Sequence, residues 1–246
     1  MTDRPQHPPV LLYHSIAELA PTPDAGARAF RSQIALLKRS GYHTLTPAEF
    51  LTGLDDGEWP RRSIFLTFDD GYLDFHDVAW PILQEFGMTA TVFLVHDALE
   101  GGIEAWRGPT YPVMPPVCGW DKVLAMRGQG VYYGSHTLSH VELNHAEPAE
   151  VVEQVTRSKS LLEQRLGDEV ALFSYPYGAA SSEARAAVEA AGYEAAFGVS
   201  PAAPTRFELF RRIVKPAKTL TSFRLRVSRA YEPLRCALHV TRGERC

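Results

Sequence analysis

Cysteine is nearly absent from this chain of 246 residues, which carries only Cys118, Cys236 and Cys246. Three widely spaced cysteines without a CxxC pair exclude both a disulfide framework and a cysteine zinc site. Cys236 and Cys246 could pair with each other, but a reduced, cytosolic state is the plainer reading. No apolar run is long enough to cross a bilayer, and the polar, proline-rich start from Met1 to Pro9 lacks the layout of a secretion signal. As it stands, the chain is expected to be cytoplasmic. Positive charge is not in excess either: 25 Lys and Arg stand against 29 Asp and Glu, a formal net charge of -4. That balance argues against a protein built mainly to bind nucleic acid.

What is present is an ordinary globular composition, 45% hydrophobic and 22% charged, in a chain long enough to bury a sizeable core. Short β-rich apolar runs alternate with segments of helical period. Strands are expected over 10–13, 63–68, 89–95, 131–134, 171–175 and 193–198. Helices are expected over 30–40, 77–86, 121–127, 148–166 and 181–191, with Gly41, Gly87, Gly167 and Gly192 placed to end four of them. Such alternation implies parallel βαβ units, and in a barrel of these units chemistry sits at the C-terminal ends of the strands. Neither a repeat nor a linker divides the chain, so one domain is expected over 1–246. The Gly- and Pro-rich stretch 101–119 reads as a long loop, perched over the site. From about 217 the chain is basic, continuing a run that includes Arg211, Arg212, Lys215, Lys218, Arg224, Arg226 and Arg229. That run reads as a solvated helix face, or as a patch for an anionic polymer or membrane surface.

Three short motifs carry the chemistry. Thr67-Phe68-Asp69-Asp70-Gly71 places two carboxylates directly after a buried strand, where they serve either as a turn and helix cap or as a site. His136-Thr137-Leu138-Ser139-His140 spaces two histidines i, i+4, which brings them onto one face of a helical turn. Taken alone they are core or surface histidines as readily as ligands. Together the two motifs propose an Asp and two His around one divalent ion, with positions left open for water and substrate. Phe173-Ser174-Tyr175-Pro176-Tyr177-Gly178 ends another strand in a fixed turn that can present a backbone N–H to an oxyanion, or is simply a strand-to-helix turn.

In order and spacing these motifs resemble those of the polysaccharide deacetylases with a NodB-type domain (carbohydrate esterase family 4). The resemblance runs from about Val10 to Pro216, and Tyr13-His14 looks like the branch that processes poly-N-acetylglucosamine. It implies a distorted (β/α) barrel of seven or so strands and one divalent metal, usually zinc; an Asp-His-His set also accepts cobalt or nickel. Carried over position by position, it makes Asp69 the general base and Asp70, His136 and His140 the metal ligands. The backbone N–H of Tyr177 would help hold the oxyanion.

The chain departs from the family pattern in three places. The late Leu-x-His motif that supplies a general acid is missing. His239, directly after Leu238, is a poor substitute, and His14 at the end of the first strand is the better candidate, although it also reads as a loop histidine capping that strand. The arginine that orients the catalytic aspartate in many relatives is replaced by Ser174. Arg211 or Arg212, just before Ile213-Val214, would supply that charge from a neighbouring strand end, and Arg212 is the one assigned. The third departure is the absence of a secretion signal, which suggests a target smaller than a matrix polymer, such as a sugar nucleotide or a lipid-linked amino sugar. Trp106, Tyr111 and Trp120 are placed either to stack on a sugar ring or to fill space. The expected function is metal-dependent removal of an N-acetyl group from an amino sugar. An amidohydrolase of a non-sugar amide and a non-catalytic carbohydrate-binding protein are the alternatives.

Overall fold

The strands are continuous apolar runs because both of their faces are covered, as in parallel sheets with helices outside. In the computed structural model the described residues are 7–16, 23–102, 115–178, 180–200, 205–215, 219–228 and 231. The chain begins with β1 (Val10–Tyr13), α1 (Pro23–Arg39), β2 (His43–Thr44), α2 (Pro47–Asp56) and β3 (Ser63–Asp69). A π-helical turn, Phe75–Ala79, runs into α3 (Trp80–Phe86), followed by β4 (Ala90–Leu94), α4 (Trp120–Met126) and β5 (Val131–Ser135). Then come α5 (Pro148–Leu166), β6 (Leu172–Ser174), α6 (Ser182–Ala190), β7 (Ala195–Gly198), β8 (Leu209–Phe210), β9 (Arg212–Ile213) and α7 (Leu220–Val227). All of β1, β3, β4, β6 and β7 is buried.

The sheet order is β8-β7-β6-β5-β4-β3-β1-β9, every pairing is parallel, and β2 adds to β3 off this path. The two ends of that order are consecutive pieces of one segment. β8 pairs with β7, β9 pairs with β1, and Arg211 joins them, donating its backbone N–H to the Gly198 carbonyl at 3.1 Å. The sheet is thereby nearly closed into the expected distorted (β/α) barrel.

Two apolar layers follow from the strand alternation. Val10, Phe65, Phe93, Leu172, Phe197 and Leu209 form the inner cluster, together with Leu45, Phe50 and Leu51 from α2 and its approach. Phe50 stacks on Phe65 with ring centroids 4.6 Å apart, so α2 plugs the N-terminal end of the barrel. The outer cluster joins Leu11, Tyr13, Leu66, Phe68 and Val92 to the helices around them.

α2 was not among the expected helices, yet it carries a full capping box. Thr46 Oγ1 accepts the Glu49 N–H at 3.2 Å, and the Glu49 carboxylate accepts the Thr46 N–H at 2.8 Å. The short β2, β8 and β9 were also not expected, since two-residue strands offer no periodicity to read; α7 falls within the basic run read as a solvated helix face or a patch. Among the described residues no helix is long and apolar enough to cross a membrane.

Candidate active site

β3 delivers Asp69 as its last residue, after which the chain turns through two left-handed residues, Asp70 (φ 76°) and Gly71 (φ 68°). The turn sends the neighbouring carboxylates in different directions. Gly71 is required there: a Cβ would meet Leu94 Cδ2 at 3.0 Å in a conformation that side chains disfavour. β5 ends at Ser135, and His136 follows with its backbone N–H on the Leu94 carbonyl at 2.9 Å.

The two histidines do converge, but not on the helical turn expected for them. Residues 136–140 form a loop with Thr137 at φ 68° and His140 at φ 60°. The loop holds because side chains take over the bonding that a helix would supply. Buried Gln154 of α5 accepts the N–H groups of Leu138 and Ser139 at 3.0 Å each and donates to Ser139 Oγ at 2.8 Å. Thr137 Oγ1 accepts the His140 N–H at 2.9 Å.

His136 Nδ1 lies 2.8 Å from the Ser174 carbonyl and donates to it, which leaves the Nε2 lone pair aimed into the site. Both His136 Nε2 and His140 Nε2 stand 3.5 Å from Asp70 Oδ1. One ligand atom from each of the three residues lies within 4.8 Å of the others. Ligands held tetrahedrally at about 2.1 Å from an ion are roughly 3.4 Å apart. Asp70 Oδ1 is moreover buried with no hydrogen-bond donor on it. Donor set, spacing and orphaned oxygen all fit a divalent metal.

The second carboxylate is dressed differently. Arg211 NH1 and NH2 donate to the two oxygens of Asp69 at 2.7 Å each. Arg211 NH2 also donates to Ser174 Oγ at 2.7 Å, and that hydroxyl lies 3.3 Å from Asp69 Oδ2. Both charges are buried. Burial pushes the Asp69 carboxyl up, but the Arg211 guanidinium and then His136 outweigh it and hold it well below the usual carboxylate range. Asp70 has no such partner, and burial raises it despite nearby His14 and His136. Burial, with His136 beside it, lowers His140 to about 3. One carboxylate is thus kept ionised by Arg211, while the other has no guanidinium on it and stands 3.5 Å from two histidine nitrogens, as a metal ligand would.

Arg212, assigned above to Asp69, does not reach it. Successive strand residues face opposite sides, so Arg211 points into the barrel while Arg212 points away. The Arg212 guanidinium donates to the carbonyls of Arg226 and Ser228 and lies 5.0 Å from the Tyr231 ring centre. A small residue at Ser174 leaves room for the arginine that arrives from across the barrel.

His14 follows β1, half-buried, close enough to act electrostatically on Asp69, Asp70 and His140. Tyr177 adopts φ 60° in the Pro176–Gly178 turn, its exposed ring edge-to-face with His140 at 4.9 Å. Gly178 allows that turn, since a Cβ there would meet Val199 Cγ2 at 2.2 Å. Trp120 has its ring between Arg165 and His96 and its indole N–H on Glu100 at 2.8 Å, which fits the packing reading. Trp106, Tyr111, His239, Cys236 and Cys246 lie outside the described residues.

A family model described as polysaccharide deacetylase matches residues 56–196, more than half of the chain. The chain belongs to the polysaccharide deacetylase family. The family is described by the removal of acyl groups from polysaccharides. The chain is 29% identical over 227 residues to the Bacillus subtilis protein YxkH, described as a polysaccharide deacetylase, covering 90% of this chain and 76% of that one. It is 25% identical to a poly-β-1,6-N-acetyl-D-glucosamine N-deacetylase of Staphylococcus aureus, over 72% of this chain and 61% of that protein. Among solved structures, the Streptococcus pyogenes deacetylase PplD in complex with acetate superposes with a TM-score of 0.79 at 23% identity, covering 92% of this chain and all, 100%, of the other. IcaB from Ammonifex degensii superposes at 0.72 with 20% identity, covering 90% and 97%. At these identities the superpositions speak for the fold.

Two residues of the deacetylase site went unassigned in the sequence. Arg211 was named but passed over, and strand alternation from the inward Leu209 was the signal that selects it. Gln154 carried no signal, because an amide in the middle of a long helix looks like any solvated position.

Proposed function

We propose that the protein hydrolyses the acetamide of an N-acetylated amino sugar to acetate and a free amine. The observation that carries this is an ionised, Arg211-bound Asp69 beside the Asp70, His136 and His140 set, with His136 Nε2 3.8 Å from Asp69 Oδ2. A divalent ion held by Asp70, His136 and His140, with zinc the best match to these donors and cobalt or nickel also accepted, would supply Lewis acidity to the carbonyl and to a water molecule. Asp69 takes the proton of the attacking water. Its basicity is weak, which suits a water already acidified. Arg211 and Ser174 fix both Asp69 oxygens, so the carboxylate cannot swing onto the metal side. The Tyr177 backbone N–H supports the oxyanion as the carbonyl carbon becomes tetrahedral. His14, on the rim near both carboxylates, gives a proton to the leaving nitrogen as the C–N bond breaks. Likeness to enzymes named for poly-β-1,6-N-acetyl-D-glucosamine makes β-1,6-linked N-acetylglucosamine oligomers the first substrate to try.

The test is acetate release from those oligomers after chelation and zinc reloading. Wild type should be active only when reloaded. Asp69→Asn should lose activity about 10²–10⁴-fold, the usual contribution of a general base, and His14→Ala should lose part of it. Full activity in Asp69→Asn, or none in reloaded wild type, would overturn the assignment.

A further inference from the structure

The geometry points to a cationic subsite on the rim, beside Asp69, that binds an anionic substituent of the sugar substrate, a phosphate or a carboxylate. This inference rests on the deacetylase reading and narrows its substrate. A pocket of ≈ 300 Å³ opens where β8 and β9 close the barrel, and Arg211 lies in its wall. That volume is at the small end of ligand sites and suits one ring with a small substituent. Its apolar side is Phe210 and Ile213, and its charged side is Lys215 and Arg226, with the Tyr231 ring alongside.

The pocket and the catalytic centre share a rim. β9 runs parallel to β1 with Leu11 opposite Arg212 and Leu12 opposite Ile213, and the Val214 N–H continues the ladder onto the Leu12 carbonyl at 2.8 Å. Followed two residues further, that register sets Lys215 level with His14.

Among the described residues the positive charge there is only partly compensated. Arg211 is neutralised by Asp69, but among the described residues neither Lys215 nor Arg226 has a carboxylate partner. Arg226 is held rigidly instead. Its Nε donates to the Ile213 carbonyl at 2.9 Å, its NH1 donates to Ser222 Oγ at 2.8 Å, and its guanidinium lies 5.9 Å from the Tyr231 ring centre. A guanidinium fixed by neutral acceptors keeps its full charge and its remaining N–H donors for a ligand. Lys215 is exposed. An apolar wall with a fixed cation and an exposed one, in a pocket whose Arg211 also holds Asp69, matches a sugar face that carries a negative group. A neutral N-acetylglucosamine chain would leave both cations unused.

The experiment uses the zinc-loaded full chain and three probes without an acetamide, so that nothing turns over. They are a β-1,6-linked glucose disaccharide, its 6-phosphate, and the analogue with glucuronate in place of one glucose, each titrated by ¹⁵N–¹H NMR. At least one anionic probe should bind on the order of tenfold more tightly than the neutral one, with the advantage shrinking as salt is added. Lys215→Glu should abolish that advantage. Preference for the phosphate alone assigns a phosphorylated sugar, and preference for the glucuronate assigns an acidic glycan. Equal binding of all three probes, or an advantage that survives Lys215→Glu, would overturn the subsite. Acetate release is read separately from N-acetylglucosamine oligomers with and without a 6-phosphate. Charge-selective binding without acetate release would sink the deacetylase reading alone, and release without charge selectivity would sink the subsite alone.

Discussion

At the scale of single residues, the Arg211–Asp69 pair trades stability for a defined charge. Both groups lost their water on burial, and two hydrogen bonds of 2.7 Å return only part of that cost. Removing one partner strands the other. Arg211→Met should therefore lower stability to urea by about 3–5 kcal/mol and cut acetate release, because Asp69 loses both its orientation and its ionisation. Arg212→Met, which removes the contacts to Arg226, Ser228 and Tyr231 and none to Asp69, should leave release per folded molecule within about twofold of wild type, a change of some 0.4 kcal/mol, even if stability falls. A large loss in Arg212→Met and none in Arg211→Met would reverse the assignment. His140 makes a pH prediction for the metal-free protein. Its folded pKa of about 3 lies below the roughly 6.5 of an unfolded histidine. Between those values the unfolded chain binds the extra proton, so stability falls as pH drops from about 6.5 towards 3. Melting at pH 7 and pH 5 should show a larger drop for the apo wild type than for apo His140→Gln. Parallel drops would mean that burial does not hold the imidazole neutral.

At the scale of elements, the 136–140 loop owes its shape to a helix that contributes nothing else to the site. Thr137 is β-branched at φ 68°, a conformation costing on the order of 1–3 kcal/mol that persists only when its surroundings impose it. Gln154 imposes it by filling two backbone donors and one hydroxyl. Gln154→Leu keeps the helix and the volume but leaves the Leu138 and Ser139 N–H groups without their acceptor. Zinc affinity, measured by competition with a chromophoric chelator, should weaken about 10–100-fold, the usual effect of removing a residue that orients metal ligands. Unchanged affinity would show that the histidines hold their places without it. The expected i, i+4 reading failed here for the same reason: buried Gln154 offers better partners to these N–H groups than a helical turn would.

At the scale of the whole molecule, the two ends of the barrel do separate jobs. The aromatic plug of Phe50 and Phe65 lies at the N-terminal end, with Phe197 packed between it and the rim, while the charged residues stand at the C-terminal rim. Phe50→Ala should cost about 3–5 kcal/mol in urea unfolding yet leave KM for the oligomers unchanged in the protein that remains folded. A shift in KM would show that the plug and the rim are mechanically coupled. The long helix Pro148–Leu166, the apolar strands and the adjacent carboxylates of Asp69 and Asp70 were legible in the chain because each is a local pattern: a period, a run or a neighbouring pair. α2 was legible too, through Thr46 and Glu49, for a reader looking for caps. The sequence by itself determined the barrel class and the donors of the metal site, since strand-end motifs and βαβ alternation are written over a few residues. Only the tertiary structure decided which arginine meets Asp69, which helix shapes the histidine loop, and that β9 lies beside β1. Those relations join residues far apart in the chain, and they are set by barrel closure and strand register, which local patterns do not encode.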